Sequence, residues 1–218
     1  MTDKSSQLLA LAKARQAICW DGYNCIADYH SGAYECDHVS PYTKTAGNID
    51  ARVMVMLQDW ASDESLRKPI DEDARDFGYT RSSPTNQHLS ELLEATFGLR
   101  LQDVYATNLF PFIKPGKLTG GIRPADLVKA ARTFALPQIR IVAPRLVICL
   151  GLVTFRALAR AIDMRPPPSL CAALDNPFDV GTARVWCQAH TGQLGRNNRG
   201  GAARVKADWL TMKLAVGL

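Results

Sequence analysis

An unbroken apolar run, Val53-Met54-Val55-Met56-Leu57, closed by Gln58 and Asp59, constrains this chain more than any other stretch. A run so short and uniformly apolar has no solvated face. It reads as an inner strand of a parallel sheet that is covered on both sides. In open sheets of that kind, ligands bind beyond the carboxyl ends of the strands. The carboxylate of Asp59 is expected there, although a solvated strand-end Asp would also explain it.

Further candidates for the same sheet follow in order. Leu101 to Thr107 forms a second strand candidate ending at Asn108, and Arg145 to Leu150 a third. Ala183 to Ala189 is the fourth, delivering His190. Helical patterns alternate with them. An N-terminal amphipathic helix is expected over 4–20, and Pro84-Thr85-Asn86 opens a helix with Leu89, Leu92, Leu93 and Phe97 on its buried face and Gly98 as its stop. Pro124 suits the first turn of a helix to about Ala135, and Pro137 restarts a short one through Val142. A helix of Phe155, Leu158, Ala159 and Ile162 follows Gly151, and Ala202, Val205, Trp209 and Met212 mark the closing helix. Trp20 to Asn48 reads as an irregular connection, Asp63 to Asp76 as a charged surface loop, and Phe110 to Arg123 as a mobile basic loop.

No Asn-Gly or Asp-Gly hairpin signal separates the apolar runs. The alternation therefore predicts an α/β fold: three layers, α/β/α, around a central four-stranded parallel sheet. A length of 218 residues fits one domain over 1–218, with 1–50 as its helix and irregular lead-in.

Several function classes drop out. No apolar stretch reaches the roughly 18 residues a membrane span needs, and the polar start has no signal-peptide pattern, so a cytoplasmic address is expected. Cys19, Cys25, Cys36, Cys149, Cys171 and Cys187 have no C-x-x-C spacing, which disfavours a metal site built from Cys19, Cys25, His30, Cys36 and His38. No G-x-G-x-x-G or G-K-[ST] loop follows a strand, which argues against nucleotide binding of the usual kinds. The net charge of +5 permits an anionic partner without requiring one.

Gln58-Asp59, Asn108 and His190 thus share one rim if the sheet is parallel. Together they form a chemical kit. A carboxylate orients water or stabilises a cation, an amide reads a donor–acceptor pair, and an imidazole donates to a departing anion.

The order and neighbours of these residues resemble the uracil-DNA glycosylase superfamily. Leu57-Gln58-Asp59-Trp60-Ala61-Ser62 stands where one branch has G-Q-D-P-Y-H. Tyr105-Ala106-Thr107-Asn108 is similar to the Y-x-T-N segment of the thermostable branch. Gln138-Ile139 through Pro144 to Gly151 is similar to that branch's Q-I-x-x-x-x-P-x-V-I-V-x-L-G, and His190-Thr191-Gly192-Gln193-Leu194-Gly195-Arg196 stands for H-P-S-x-L-x-R. The resemblance covers residues 50–210 in consistent order.

The resemblance implies a monofunctional DNA-repair enzyme that hydrolyses the N-glycosidic bond of a flipped-out uracil and leaves an abasic site. Asp59 would position the water and stabilise the cationic sugar, and His190 would stabilise the anionic base. Asn108 would read the uracil edge, with Gln58 beside it. Phe77, or Tyr79 in its place, would stack on the base. Trp60 occupies the family's proline position and Ala61 its tyrosine position; either Trp60 takes over that tyrosine's exclusion of thymine's methyl group, or exclusion is weaker here. Residues 190–201 would probe the minor groove with Leu194 as a wedge. Lys114, Lys117, Arg196 and Arg199 are candidate phosphate contacts.

Leu57 replaces a glycine, Thr191-Gly192 replaces Pro-Ser, and the cysteines that hold an iron–sulfur cluster in some branches are missing. A cluster-free, cofactor-free monomer acting on uracil-containing or abasic DNA is expected. The alternatives are a glycosylase for hypoxanthine or xanthine, or a non-catalytic binder of damaged DNA.

Overall fold

The computed structural model describes residues 3–218. Its elements in chain order are α1 (Lys4–Gln16), β1 (Val53–Asp59), α2 (Asp63–Leu66), α3 (Glu72–Phe77), α4 (Pro84–Phe97), β2 (Tyr105–Phe110) and α5 (Pro124–Ala130). A π turn over Ala131–Ala135 leads into α6 (Leu136–Val142). Then come β3 (Leu146–Leu150), α7 (Leu152–Ala161), α8 (Leu170–Leu174), β4 (Phe178–Val180), β5 (Ala183–Gln188), α9 (Gln193–Asn198) and α10 (Ala202–Val216).

The strands form one sheet in the order β2-β1-β3-β5-β4. β2, β1, β3 and β5 run parallel, as expected, but the expected strand count is corrected from four to five. β4 pairs antiparallel with β5 through Val180 and Ala183, across the two-residue link Gly181-Thr182. Three residues are too few to show a period. The link, with Gly181 at φ 60°, is not one of the Asx-Gly turns that mark a hairpin.

Strict alternation explains the apolar runs. Met54, Met56, Val147, Cys149, Val185 and Cys187 face one side and pack on Leu127, Phe134, Leu136, Ile139 and Leu158 of α5, α6, α7 and the π turn. Val53, Val55, Leu57, Leu146, Ile148, Leu150 and Trp186 face the other side and meet Leu89 and Leu93 of α4 and Val205, Trp209 and Met212 of α10. Burying each such leucine contributes about 2 kcal/mol, enough to hold α4 and α10 on the sheet.

Other expectations change in detail. The charged stretch after β1 is not a loop. Ser62 caps α2 by accepting the Ser65 N–H, and Asp71 caps α3 by accepting the Ala74 N–H. The helix after Pro124 does not stop before Pro137. Pro137 has no N–H to donate and its ring crowds the preceding turn, and the chain absorbs this in the π turn instead of breaking. β2 starts at Tyr105, after a 3₁₀ turn Leu101–Asp103, so Asn108 lies inside the strand, not at its end. α1 ends at Gln16, and residues 193–198 form a helix within the expected tail.

The segment over 110–123 is not an open basic loop, since Phe112, Ile113 and Lys114 are buried. The irregular lead-in holds it from outside. Asn24 and Ile113 exchange backbone hydrogen bonds, and Ile26, Tyr29 and Tyr34 form a third apolar cluster with Ala61, Leu66 and Ile113. Buried Arg15 anchors the lead-in through Glu35 and the carbonyls of Cys36 and His38.

Candidate active site

β1 has β2 on one side and β3 on the other. The chain therefore leaves β1 in one direction and later returns on the opposite side, which makes the β1–β3 boundary the switch point of the sheet. Crevices open at the carboxyl ends of strands at such points. Alternation decides which side chains reach the crevice together. Steps of two along β1 from Val55 reach Leu57 and Asp59, and along β2 Ala106 leads to Asn108. Along β5, Trp186 and Gln188 lead to His190, just beyond the strand. All three series lie on the face covered by α4 and α10. The register sets Leu57 opposite Asn108 and Asp59 opposite Phe110. With neighbouring strands about 4.8 Å apart, β1 and β5 stand roughly 10 Å apart across β3. Gly151 closes β3 at φ 96°. A Cβ there would lie 3.8 Å from that of His190, so this part of the floor stays low.

Asp59 is held at both oxygens. Gln58 Nε2 donates to Oδ1 at 2.8 Å, and Lys114 Nζ pairs with Oδ2 at 2.8 Å. Both side chains of the pair are shielded, at 3% exposure for Lys114 and 8% for Asp59. The remaining geometry of Lys114 is fixed by donation to the Leu118 carbonyl. This corrects its expected role as a phosphate contact: the ammonium is buried and committed, and it compensates the carboxylate that the site needs.

Asn108 is 1% exposed. Its Oδ1 accepts from Ser40 Oγ at 2.5 Å, while its buried Nδ2 has no hydrogen-bond partner among the described residues. An unpaired buried donor is costly, and such groups mark places where a partner is missing. It is a donor waiting for a carbonyl.

His190 is poised as a neutral donor. The Gly192 N–H donates to its Nδ1 at 3.0 Å, which leaves the ring proton on Nε2. Burial lowers its pKa below the ordinary 6.5, and the opposing pull of the Asp59 carboxylate, which acts across the crevice, does not cancel that. The glycines of the segment serve this arrangement. A Cβ on Gly192 would come 3.0 Å from His190 Nδ1, and one on Gly195 would come 2.2 Å from the His190 carbonyl oxygen.

The other candidates are distributed less evenly. Trp60 Nε1 donates to the Gly78 carbonyl at 2.8 Å and its ring meets Tyr34 edge-on, so it braces the 77–79 turn. Within that turn Tyr79 stacks on Tyr42 at 5.1 Å, whereas the exposed ring of Phe77 lies under the Arg81 guanidinium at 4.2 Å. Arg199 is not free for a phosphate. It forms a paired, mostly buried bridge to Asp208, with Nε 2.5 Å from Oδ2, which corrects its expected role. Arg196 contacts the His88 ring. Lys117 is exposed and Leu194, at 72%, projects into solvent.

The cysteine and histidine set of the lead-in does not assemble as one group. Cys19, Cys25 and Asp28 bring ligand atoms within 4.8 Å of one another, but His30 bonds the Leu66 carbonyl instead. Asp28 already caps its own turn by accepting the Cys25 N–H at 2.7 Å. Two surface hollows contain none of Asp59, Asn108 and His190. One is lined by Pro124, Lys129, Arg132 and Arg160, the other by Cys171, Trp186, Arg204 and Asp208.

Two partners escaped the sequence. Nothing near Ser40 or Lys114 marks them locally; each is recognisable only from the side chain it reaches.

A family model described as Uracil DNA glycosylase superfamily matches residues 45–213. No curated protein matches the chain. The match spans most of the sequence and includes Asp59, Asn108 and His190. The chain belongs to this superfamily of DNA glycosylases.

Proposed function

From that membership we propose that the protein is a monofunctional uracil-DNA glycosylase, which hydrolyses the N-glycosidic bond of a uracil flipped out of DNA and leaves an abasic site. The target sugar carbon is inaccessible in a stacked duplex, so the nucleotide must first leave the helix. In the crevice, Asp59 holds the attacking water and faces the positive charge that grows on the sugar. Across from it, the Nε2–H of His190 donates to the pyrimidine oxygen as the base departs with the electron pair. Asn108 reads the edge of the base. Its buried, unpartnered Nδ2 is the observation that carries this reading, because it needs an acceptor such as a ring carbonyl.

Water is the nucleophile in this scheme. The Lys114 amine is occupied by Asp59 and the Leu118 carbonyl, so borohydride added during turnover should trap no protein–DNA adduct. Tyr79 is the favoured stacking aromatic, since it lies against Tyr42, two residues from Ser40. Leu194 would fill the gap in the duplex, with Lys117 and Arg196 near the backbone. Hypoxanthine and xanthine also offer a carbonyl beside an N–H, so the same amide suits them as well.

The test is single-turnover base release from oligonucleotides carrying uracil, hypoxanthine or xanthine, with Asp59→Asn and Asn108→Ala beside the wild type. Uracil release lost in both variants is the expected result. Release indifferent to both changes would refute the site, and tight abasic-DNA binding without release would make the protein a binder.

A further inference from the structure

We propose that Ser40 is a specificity-determining positioning residue: it fixes the Asn108 amide so that the pocket accepts base edges with a carbonyl beside a ring N–H and rejects those with an amino group. This rests on the reading that Asn108 contacts the base.

Ser40 is fully buried and stands, in extended backbone, at the cap of the 3₁₀ turn Pro41–Lys44. Its Oγ accepts the Tyr42 N–H at 3.2 Å. Its own proton then goes to Asn108. The separation of 2.5 Å identifies which amide atom receives it, because that length suits O–H···O and is too short for an amide N–H donor, which stays at about 2.7 Å or more. The carbonyl oxygen of Asn108 is therefore turned to Ser40, and Nδ2 is turned away, where it finds no hydrogen-bond partner among the described residues.

The turn carrying Ser40 cannot drift. Thr43 Oγ1 donates to the Ala106 carbonyl of β2 at 2.7 Å, and Tyr42 Oη donates to Asn86 Oδ1 at 3.1 Å. On the other side Gly78 packs so closely that a Cβ there would lie 1.8 Å from the Pro41 carbonyl oxygen. Ser40 is thus held to β2, to α4 and to the turn after α3.

A free carboxamide can rotate by half a turn and exchange donor for acceptor. Uracil, hypoxanthine and xanthine present a carbonyl for Nδ2 and an N–H for the remaining lone pair on Oδ1. Cytosine and adenine present the reverse, an amino group facing Nδ2 and a bare ring nitrogen. A locked amide leaves those bases with two donors opposed, whereas an unlocked one would accommodate them after turning over.

The test compares single-turnover release of uracil and cytosine from single-stranded oligonucleotides by wild type, Ser40→Ala and Ser40→Thr. Ser40→Ala should lower the uracil-to-cytosine rate ratio by roughly tenfold to a hundredfold, the effect of one hydrogen-bond mismatch, and Ser40→Thr should restore it by keeping the hydroxyl. A ratio unchanged in Ser40→Ala overturns the proposal. If Ser40→Ala does not fold, side-chain amide NMR of the wild type decides. Free uracil should shift the Asn108 Nδ2–H₂ signals and cytosine should not; equal shifts overturn the proposal. Asn108→Ala separates the two levels. If it releases uracil like wild type, the base-reading role itself fails. If it is inactive while the Ser40→Ala ratio is unchanged, only the role of Ser40 falls.

Discussion

The two flanks of the crevice solve opposite electrostatic problems. On β1, Asp59 keeps a full negative charge in a shielded place, and Lys114 compensates it at 2.8 Å. Just past β5, burial keeps His190 neutral against the pull of Asp59 across the crevice, and a backbone N–H holds its tautomer. On the proposed mechanism a growing cation and a growing anion need different hosts, and the two flanks differ accordingly: a buried ion pair on one side and a glycine-rich turn on the other. The charged flank should therefore fail through stability and the neutral flank through geometry.

The largest expected effect tests the charged flank. Lys114→Ala strands the Asp59 carboxylate without its partner and should cost about 3–5 kcal/mol in urea unfolding. Asp59→Asn combined with Lys114→Met removes both charges and should recover most of that loss while staying inactive. Recovery of base release in the double variant would break the comparison.

On the neutral flank, Gly195→Ala forces a methyl to within 2.2 Å of the His190 carbonyl oxygen, so the His190 turn must shift. Backbone shifts of this kind cost about 1–3 kcal/mol. Single-turnover release should fall by at least tenfold, while the thermal midpoint drops by less than it does in Lys114→Ala because the Lys114–Asp59 pair stays intact.

A pH series sharpens the same point. Because burial depresses the His190 pKa, its neutral form, and the stability tied to it, is fully present above 6.5. Both are lost only as pH falls through the lower folded value. Uracil release should hold across neutral pH with an acid limb below 6.5. His190→Ala should lose that limb along with most of the activity. A wild-type limb above 6.5 would contradict burial as the dominant influence on His190.

The smallest effect belongs to the exposed surface. Leu194→Ala should slow release from duplex by a few-fold and leave single-stranded substrate unaffected, as measured in parallel on the two DNA forms.

Much of this was legible along the chain. The apolar run at 53–57 identified an inner strand because two-sided burial leaves no polar position, and β3 followed from the same logic. β4 did not, because three residues joined through Gly181-Thr182 carry no periodic signal. The charged stretch at 63–76 hid two short capped helices, since capping by Ser62 and Asp71 outweighs composition. Lys114 read as a surface cation because its neighbours are Pro and Gly. In the fold, Phe112 and Ile113 carry it inward.

The sequence by itself determined which strands carry the candidate side chains and which face of the sheet each takes, because a period of two is a local property. Only the tertiary structure decided what state those side chains are in. The partner of Asp59 lies in the loop after β2, the partner of Asn108 lies 68 positions earlier in the lead-in, and the tautomer of His190 depends on a backbone N–H turned back onto its ring. Charge compensation, amide orientation and proton position are set by distances between atoms, and those distances exist only once distant parts of the chain have packed together.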